Sequence, residues 1–280
     1  MKKVLITGIN GFIGHHITER LIRSKGCYHV FGIDMQEKFA SCGAGLLADV
    51  EYNSCDLTDS AAINLIIRGI QPDIIIHLAA LLGNGCTAGQ QKKMVDVNVG
   101  GTLNILNAVE NIPIHLLFPS TGLIYGNQPA PYTEDMPVQP ANFYALTKKM
   151  AEDAITFFTD RYSLKATIFR PSVVFGAGQQ GDMFIPSIIK SLLHKKQFAM
   201  TPGEQRRDFV FVEDVAAAFE SAMQMSKPGV YNIGSGKSIK MAEAAQIIQK
   251  KCGRKDMIKA GALPYRDNEC WEYSLAIAKA

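Results

Sequence analysis

The chain has 280 residues, 47% of them hydrophobic and 20% charged, with a net charge of +3. That profile implies a globular fold able to bury a sizeable core, as one large domain or two small ones. It excludes a nucleic-acid surface, because the lysines are scattered and basic clusters such as Lys148-Lys149 and Lys195-Lys196 are doublets rather than a stripe.

Short apolar runs at 4–7, 29–33, 73–79, 114–118 and 166–169 are predicted as strands, nearly continuous in the way of strands covered on both faces. Amphipathic stretches at 14–24, 60–68, 94–111 and 144–162 are predicted as the helices between them. Alternation of this kind builds right-handed crossovers and an α/β fold, a Rossmann-type doubly wound parallel sheet. After Arg170 the regularity weakens. A loop at 176–182 leads to a helix at 185–194, a strand at 208–212, a helix through 225, a strand at 230–233 and a helix at 241–252. The expected division is a Rossmann domain over 1–170 and a smaller C-terminal lobe over 171–280, interleaved with the first.

Six cysteines (Cys27, Cys42, Cys55, Cys86, Cys252 and Cys270) show no C-x-x-C spacing and no histidine array beside them. Metal sites and disulfide frameworks are therefore not expected, and unpaired thiols fit a reducing cytoplasm. No stretch reaches the ~20 apolar residues of a membrane span, and the first apolar run is too short for a signal peptide. A cytoplasmic protein without a membrane partner is the expectation.

The turn Gly8-Ile9-Asn10-Gly11-Phe12-Ile13-Gly14 joins the first strand to the first helix with glycines at three-residue steps. Such a turn lets the backbone approach a pyrophosphate, and the helix N-terminus adds unpaired N–H donors and a favourable dipole. Asp34 closes the second strand twenty positions past Gly14, where a carboxylate accepts hydrogen bonds from the adenosine ribose. An acid there repels a 2′-phosphate, so NAD is favoured over NADP, with Lys38 nearby in sequence tempering the preference.

From this point the motifs resemble the extended short-chain dehydrogenase/reductase superfamily, in its NAD-dependent epimerase/dehydratase group that modifies nucleotide sugars. The resemblance runs in order through Thr7-Gly8-x-x-Gly11-Phe12-Ile13-Gly14, Asp34, Asp56-Leu57, His77-Leu78-Ala79-Ala80, Asn98 in Val97-Asn98-Val99-Gly100-Gly101-Thr102, Ser120-Thr121 before Tyr125-Gly126, Tyr144-x-x-x-Lys148, and Arg207-Asp208-Phe209-Val210. It implies that Asp56 and Leu57 hold the adenine, that Leu78, Ala79 and Ala80 line the strand end beneath the dinucleotide, and that Asn98 and Pro171 complete the cofactor side.

Tyr144 and Lys148 are four apart on a predicted helix and share one face. A phenol with a pKa near ~10 is a poor base at neutral pH, and a neighbouring ammonium favours the phenolate. The resemblance makes Tyr144 the catalytic base, with Lys148 also bonding the nicotinamide ribose. Thr121 becomes the residue that holds the reacting oxygen, with Ser120 as its competitor, since neighbours on a strand face opposite ways.

Dehydratases of the group carry an acidic residue after the Ser/Thr, whereas this chain has Thr121-Gly122-Leu123. Elimination of water would lack its acid and base. Two amides usual near the substrate are also replaced, by Val173 and Met183. Arg207 and Arg266 match positions that clamp the diphosphate, Glu269 matches one that can bind the nucleotide ribose, and Arg206 reads as a solvated neighbour. The group usually continues past 277–280 with a further helix, so the chain is expected to be naturally short or to lack its end.

The implied function is an NAD-dependent epimerase of a nucleotide-diphosphate sugar, working through a 4-keto intermediate at C4. A 4-keto-sugar-nucleotide reductase using NAD(P)H is the alternative, and a non-catalytic NAD(P)-binding regulator is the alternative of another class. The group often pairs the helices at 94–111 and 144–162 into a four-helix dimer interface, which makes a homodimer possible.

Overall fold

The computed structural model describes residues 1–38, 49–83 and 87–280. Its central sheet is built from β1 (Lys2–Thr7), β2 (Tyr28–Asp34), β3 (Val50–Ser54), β4 (Ile74–His77), β5 (His115–Pro119), β6 (Lys165–Pro171) and, much later in the chain, β10 (Gly229–Ile233). All neighbours pair parallel, in the order β10-β6-β5-β4-β1-β2-β3. The order reverses between β1 and β4, the switch point where open α/β sheets leave a crevice at the strands' carboxyl ends.

Period-2 alternation sends successive strand side chains to opposite faces, and two cores result. Leu5 and Ile75 pack with Ile63 and Ile67 of α2 (Ser60–Ile70), Ile105 of α4 (Gly101–Ala108) and Ile155 of α5 (Phe143–Arg161). Val4, Ile6, Ile74 and Ile76 pack on the other face with Ile17 and Leu21 of α1 (Phe12–Arg23) and with Val215 and Phe219 of α7 (Val212–Met225). Each such side chain contributes about 1.5–3 kcal/mol on burial.

Local chemistry fixes the helix starts. The Asp59 carboxylate accepts from Ala62 N–H at 3.0 Å and the Asn142 amide oxygen from Ala145 N–H at 2.8 Å. The Asn142 cap puts Tyr144 in the first turn of α5. The helix predicted at 94–111 is interrupted: α3 (Ala88–Met94) passes through a π-helical stretch, Val95–Gly100, into α4.

The smaller lobe holds β7 (Val173–Phe175), β9 (Arg206–Phe211), β11 (Ser238–Lys240) and β13 (Glu272–Tyr273) in one sheet, and β8 (Phe198–Met200) beside β12 (Ile258–Ala260) in another. The helices α6 (Phe184–Leu193) and α8 (Met241–Lys251) close it around Ile188, Leu192, Met200 and Ala245. Fully buried Asp208 accepts from Ser235 N–H at 2.8 Å and from the Ser235 hydroxyl at 2.6 Å.

One boundary differs from the sequence reading. The helix through 225 and the strand at 230–233, assigned there to the smaller lobe, belong to the large layer: β10 pairs with β6, and the Phe219 ring lies 4.6 Å from that of Phe169. Among the described residues no helix is long and apolar enough to cross a membrane. Cys42 and Cys86 lie outside the described residues.

Candidate active site

The turn after β1 is set by space as much as by conformation. Gly8 has φ +69°, and a Cβ on it would lie 2.7 Å from the backbone of Ala79. A Cβ on Gly14 would lie 2.6 Å from the carbonyl oxygens of Gly8 and Ile9. Gly11 is the N-cap of α1 and, having no side chain, makes no capping hydrogen bond to that helix's first turn. Among the described residues nothing takes up the N–H groups of that turn, an arrangement that suits an anion.

Gly8, Gly11, Phe12, Ile13 and Gly14 line a cleft of about 890 Å³. Leu78, Ala80, Pro171, Arg207, Asn268 and Tyr273 also line it, and Thr121, Tyr144 and Lys148 make up the stretch of lining termed its wall. The three residues expected to carry catalysis are therefore brought into one cleft with the glycine turn. Ser120 borders the cleft as well, its hydroxyl buried and without a hydrogen-bond partner among the described residues, while the Thr121 hydroxyl accepts from Leu123 N–H at 3.2 Å.

The other residues expected on the cofactor side stand around this cleft rather than in its lining. Asp34 ends β2, its carboxylate accepting from Asn10 N–H at 3.1 Å, so the acid is tied to the glycine turn. Exposed Asp56 follows β3 and accepts from Thr58 N–H and hydroxyl at 2.9 Å each. Leu57 is buried beneath Gly101, whose Cβ would meet it at 2.9 Å. Ala79 supports Gly8 through its backbone.

Asn98 sits in the π-helical stretch, which turns its side chain inward. It accepts from Leu81 N–H at 2.7 Å and donates to Leu81 O at 3.1 Å and to the Thr147 hydroxyl at 2.9 Å, joining the loop after β4 to the helix that carries Lys148. Behind it the Thr102 hydroxyl donates to Asn98 O at 2.6 Å, so the His77 Nε2–H donates to Thr102 and Nδ1 accepts from Thr7 at 2.7 Å. Burial, and then Lys148, pull His77 down to about 3, which keeps it neutral.

The electrostatics of the pair differ from the simple expectation. Burial pulls Lys148 down to about 7, against a smaller upward effect of Glu152, and its ammonium lies 3.8 Å from the centre of the Phe118 ring. Burial pushes the Tyr144 phenol above its ordinary value. Desolvation, rather than attraction between the two, governs the pair in the chain alone. Below the wall, Arg170 donates to Glu152 through Nε at 3.1 Å and Nη2 at 2.7 Å, and to the Tyr125 hydroxyl at 3.0 Å.

Arg207, which lines the same cleft, donates to Glu269 at 2.6 Å and to Cys270 O at 2.7 Å. Two expectations shift there. Glu269 is the counter-charge of Arg207 and lies outside the cleft lining, and Arg266 is exposed and also outside it, because the segment after Tyr265 turns its Asn268 and Cys270 inward. Arg206 is no solvated bystander, since it donates to Ser238 O at 2.6 Å and so ties β11 to β9. Tyr273 joins the cleft without any motif around it in the sequence. It reaches the cleft through the pairing of β13 with β9, for which the local sequence carries no signal.

The model of the family described as "NAD dependent epimerase/dehydratase family" matches residues 4–234. A dTDP-D-glucose 4,6-dehydratase of Mus musculus is 29% identical over 253 residues, covering 88% of this chain and 71% of the relative. A putative UDP-glucose 4-epimerase of Methanocaldococcus jannaschii is 31% identical, covering 89% and 82%. Among solved structures, a Thermus thermophilus UDP-glucose 4-epimerase in complex with NAD superposes with a TM-score of 0.88 at 26% identity, covering 99% of this chain and 91% of that one. The UDP-N-acetylglucosamine 4-epimerase of Methanobrevibacter ruminantium gives 0.89 at 26% identity, covering 99% and 90%. The chain belongs to the NAD dependent epimerase/dehydratase family and is an NAD-dependent enzyme of the extended short-chain dehydrogenase/reductase type.

Proposed function

We propose that the chain epimerises a nucleoside-diphosphate sugar at C4. The observation that carries this reading is the cleft wall, where Thr121, Tyr144 and Lys148 stand together and the next position is a bare glycine. Relatives named as 4-epimerases and as 4,6-dehydratases are about equally similar, so overall identity does not separate the two reactions. Position 122 favours epimerisation, because elimination needs an acid and a base that Gly122-Leu123 cannot supply.

The residues present fit a dinucleotide. The first turn of α1, clear of side chains at Gly11 and Gly14, would hold its pyrophosphate, Asp34 the adenosine ribose, Asp56 and Leu57 the adenine edge, and Lys148 the nicotinamide ribose. NAD, when bound, supplies the acceptor and later the donor of the C4 hydride. Thr121 orients the sugar C4 oxygen. Tyr144 takes its proton as the carbonyl forms and returns it once the ketone has been reduced from the other face. A positive charge near Tyr144, from Lys148 and the bound cofactor, offsets the burial that otherwise holds the proton on the phenol. Arg207, already braced by Glu269, suits the sugar's diphosphate.

Two further assignments accompany this reading. Leu146, Met150 and Phe157 on α5 and Leu103 on α4 are partly exposed, which supports a homodimer through those helices. Light scattering should give twice the chain mass for the wild type and the single mass for Leu146→Glu/Phe157→Glu. The free thiols of Cys27, Cys55, Cys252 and Cys270 suit a reducing cytoplasm.

The reaction is tested with a panel of UDP- and dTDP-sugars and the Tyr144→Phe variant. Wild type should interconvert one C4 pair without net consumption of NAD, and Tyr144→Phe should lose roughly 10²–10⁴-fold in kcat while still binding NAD. Turnover that survives the substitution, or net oxidation of reduced cofactor with a 4-keto sugar, overturns the reading.

A further inference from the structure

Gly122 stands between Thr121 and Leu123, both of which line the cleft, and opens the 3-10 turn Gly122–Tyr125. Its φ lies outside the left-handed region, so the backbone makes no demand for glycine there. The demand is for space. An ideal Cβ at this position would lie 2.2 Å from the Tyr273 phenolic oxygen, 3.1 Å from its Cζ and 3.2 Å from Leu275 Cδ2.

The phenol cannot easily withdraw. Tyr273 is buried, its ring set edge-on to Tyr132 at 5.8 Å, and its hydroxyl donates to Pro171 O at 3.4 Å. The chain is fastened on both sides of it. Tyr273 pairs with Arg207 in the sheet, Tyr132 N–H donates to Ser274 O at 2.9 Å, and Ala276 N–H donates to Tyr132 O at 2.8 Å. Tyr273 also borders the cleft beside Thr121 and Pro171.

We propose that Tyr273 fills the place of any side chain at position 122, and by keeping an acid from the reacting sugar confines the chemistry to C4. This rests on the C4 reading above. In an elimination, a base removes the C5 proton next to the ketone, and an acid gives a proton to the departing C6 hydroxyl, which leaves as water. The group that stands here instead is a phenol that burial holds far above its ordinary pKa, protonated and unable to act as that base. Tyr273 is thus a specificity-determining residue whose identity is coupled to that of residue 122.

The coupling is tested first without substrate, by a thermal-unfolding cycle. Gly122→Ala should lower the midpoint by roughly 5 °C in the wild-type background, from overpacking, and by no more than about 1 °C beside Tyr273→Ala. Tyr273→Leu, which leaves a smaller cavity, gives the same comparison should Tyr273→Ala fold poorly. Equal costs in both backgrounds, or no cost in the wild type, refute the coupling whatever the enzyme's reaction. The consequence is then read by mass spectrometry in deuterium oxide with the sugar nucleotide that the wild type turns over. Gly122→Asp/Tyr273→Leu should introduce deuterium at C5 by reversible proton removal, and wild type and Tyr273→Leu should not. Deuterium in the wild-type sugar, or none with the double variant, overturns the assignment. A wild type with no turnover sinks the C4 reading and leaves the unfolding cycle to judge the coupling alone.

Discussion

Two glycines in one turn are predicted to fail in different ways. A methyl group at Gly14 would be driven to 2.6 Å from two backbone oxygens, which cannot move without displacing α1 from β1. Overpacking of this kind costs about 1–3 kcal/mol, equivalent to a midpoint lowered by roughly 2–10 °C. At Gly11 the nearest atom is the Gly8 oxygen at 3.0 Å and φ is −75°, so alanine fits with a small adjustment. Gly11 lines the cleft, so its methyl would instead stand where the proposed pyrophosphate would approach the first-turn N–H groups. Losing one charge-assisted hydrogen bond there costs about 1.5–3 kcal/mol, or roughly 10–150-fold in affinity. Calorimetric titration with NAD beside thermal melts separates the outcomes. Gly11→Ala should melt within about 2 °C of wild type and bind NAD at least tenfold more weakly, whereas Gly14→Ala should lose stability before any ligand is added. A Gly11→Ala variant with wild-type affinity would refute the claim that this turn receives the pyrophosphate.

Two other measurements probe the wall of the cleft. Burial lowers Lys148 from 10.5 to about 7 in the folded chain, so between those values the unfolded state binds the extra proton. Stability of the cofactor-free protein should therefore rise from pH 7 toward 10, by about 1 kcal/mol per pH unit from this group, and denaturant titrations of Lys148→Met should lack that slope. Glu152→Ala strands the buried Arg170 guanidinium, which among the described residues keeps Tyr125 and Glu134 O as partners. The expected loss is about 3–5 kcal/mol, with part of it restored by Arg170→Leu in the same chain, as read by urea unfolding.

The sequence reveals an element where the element's own residues decide it. The strands β1, β2, β4, β5 and β6 announce themselves because both faces are covered, which demands unbroken apolar runs. Val50–Ser54 escapes notice because β3 is a sheet edge whose Glu51 and Ser54 face solvent. Strands of two or three residues such as β7, β11 and β13 exist only by virtue of β9. The glycine turn and the Tyr144–Lys148 spacing are likewise local and legible. The partnership of Arg207 with Glu269, and the arrival of Tyr273 over Gly122, join residues 62 and 151 positions apart, and neither spacing nor composition encodes such meetings. Burial too is a property of the folded whole. The ionisation of Tyr144 and Lys148 therefore could not be inferred from a phenol and an amine placed one turn apart.

The return of the chain from the lobe to the large sheet gives the molecule no severable halves. A fragment ending at Pro171 would present β6 as a raw edge, with Phe169 stripped of Phe219 and Tyr231 and the outer face of α1 without α7. Grafting a new specificity lobe onto this scaffold thus means exchanging two separate inserts, 172–211 and 234–280, around a retained stretch of α7 and β10 that restores the sheet. Recombination with a relative at a single crossover near 171 would pair one parent's sheet with the other's edge strand and should yield insoluble chimeras more often than hybrids of altered substrate preference.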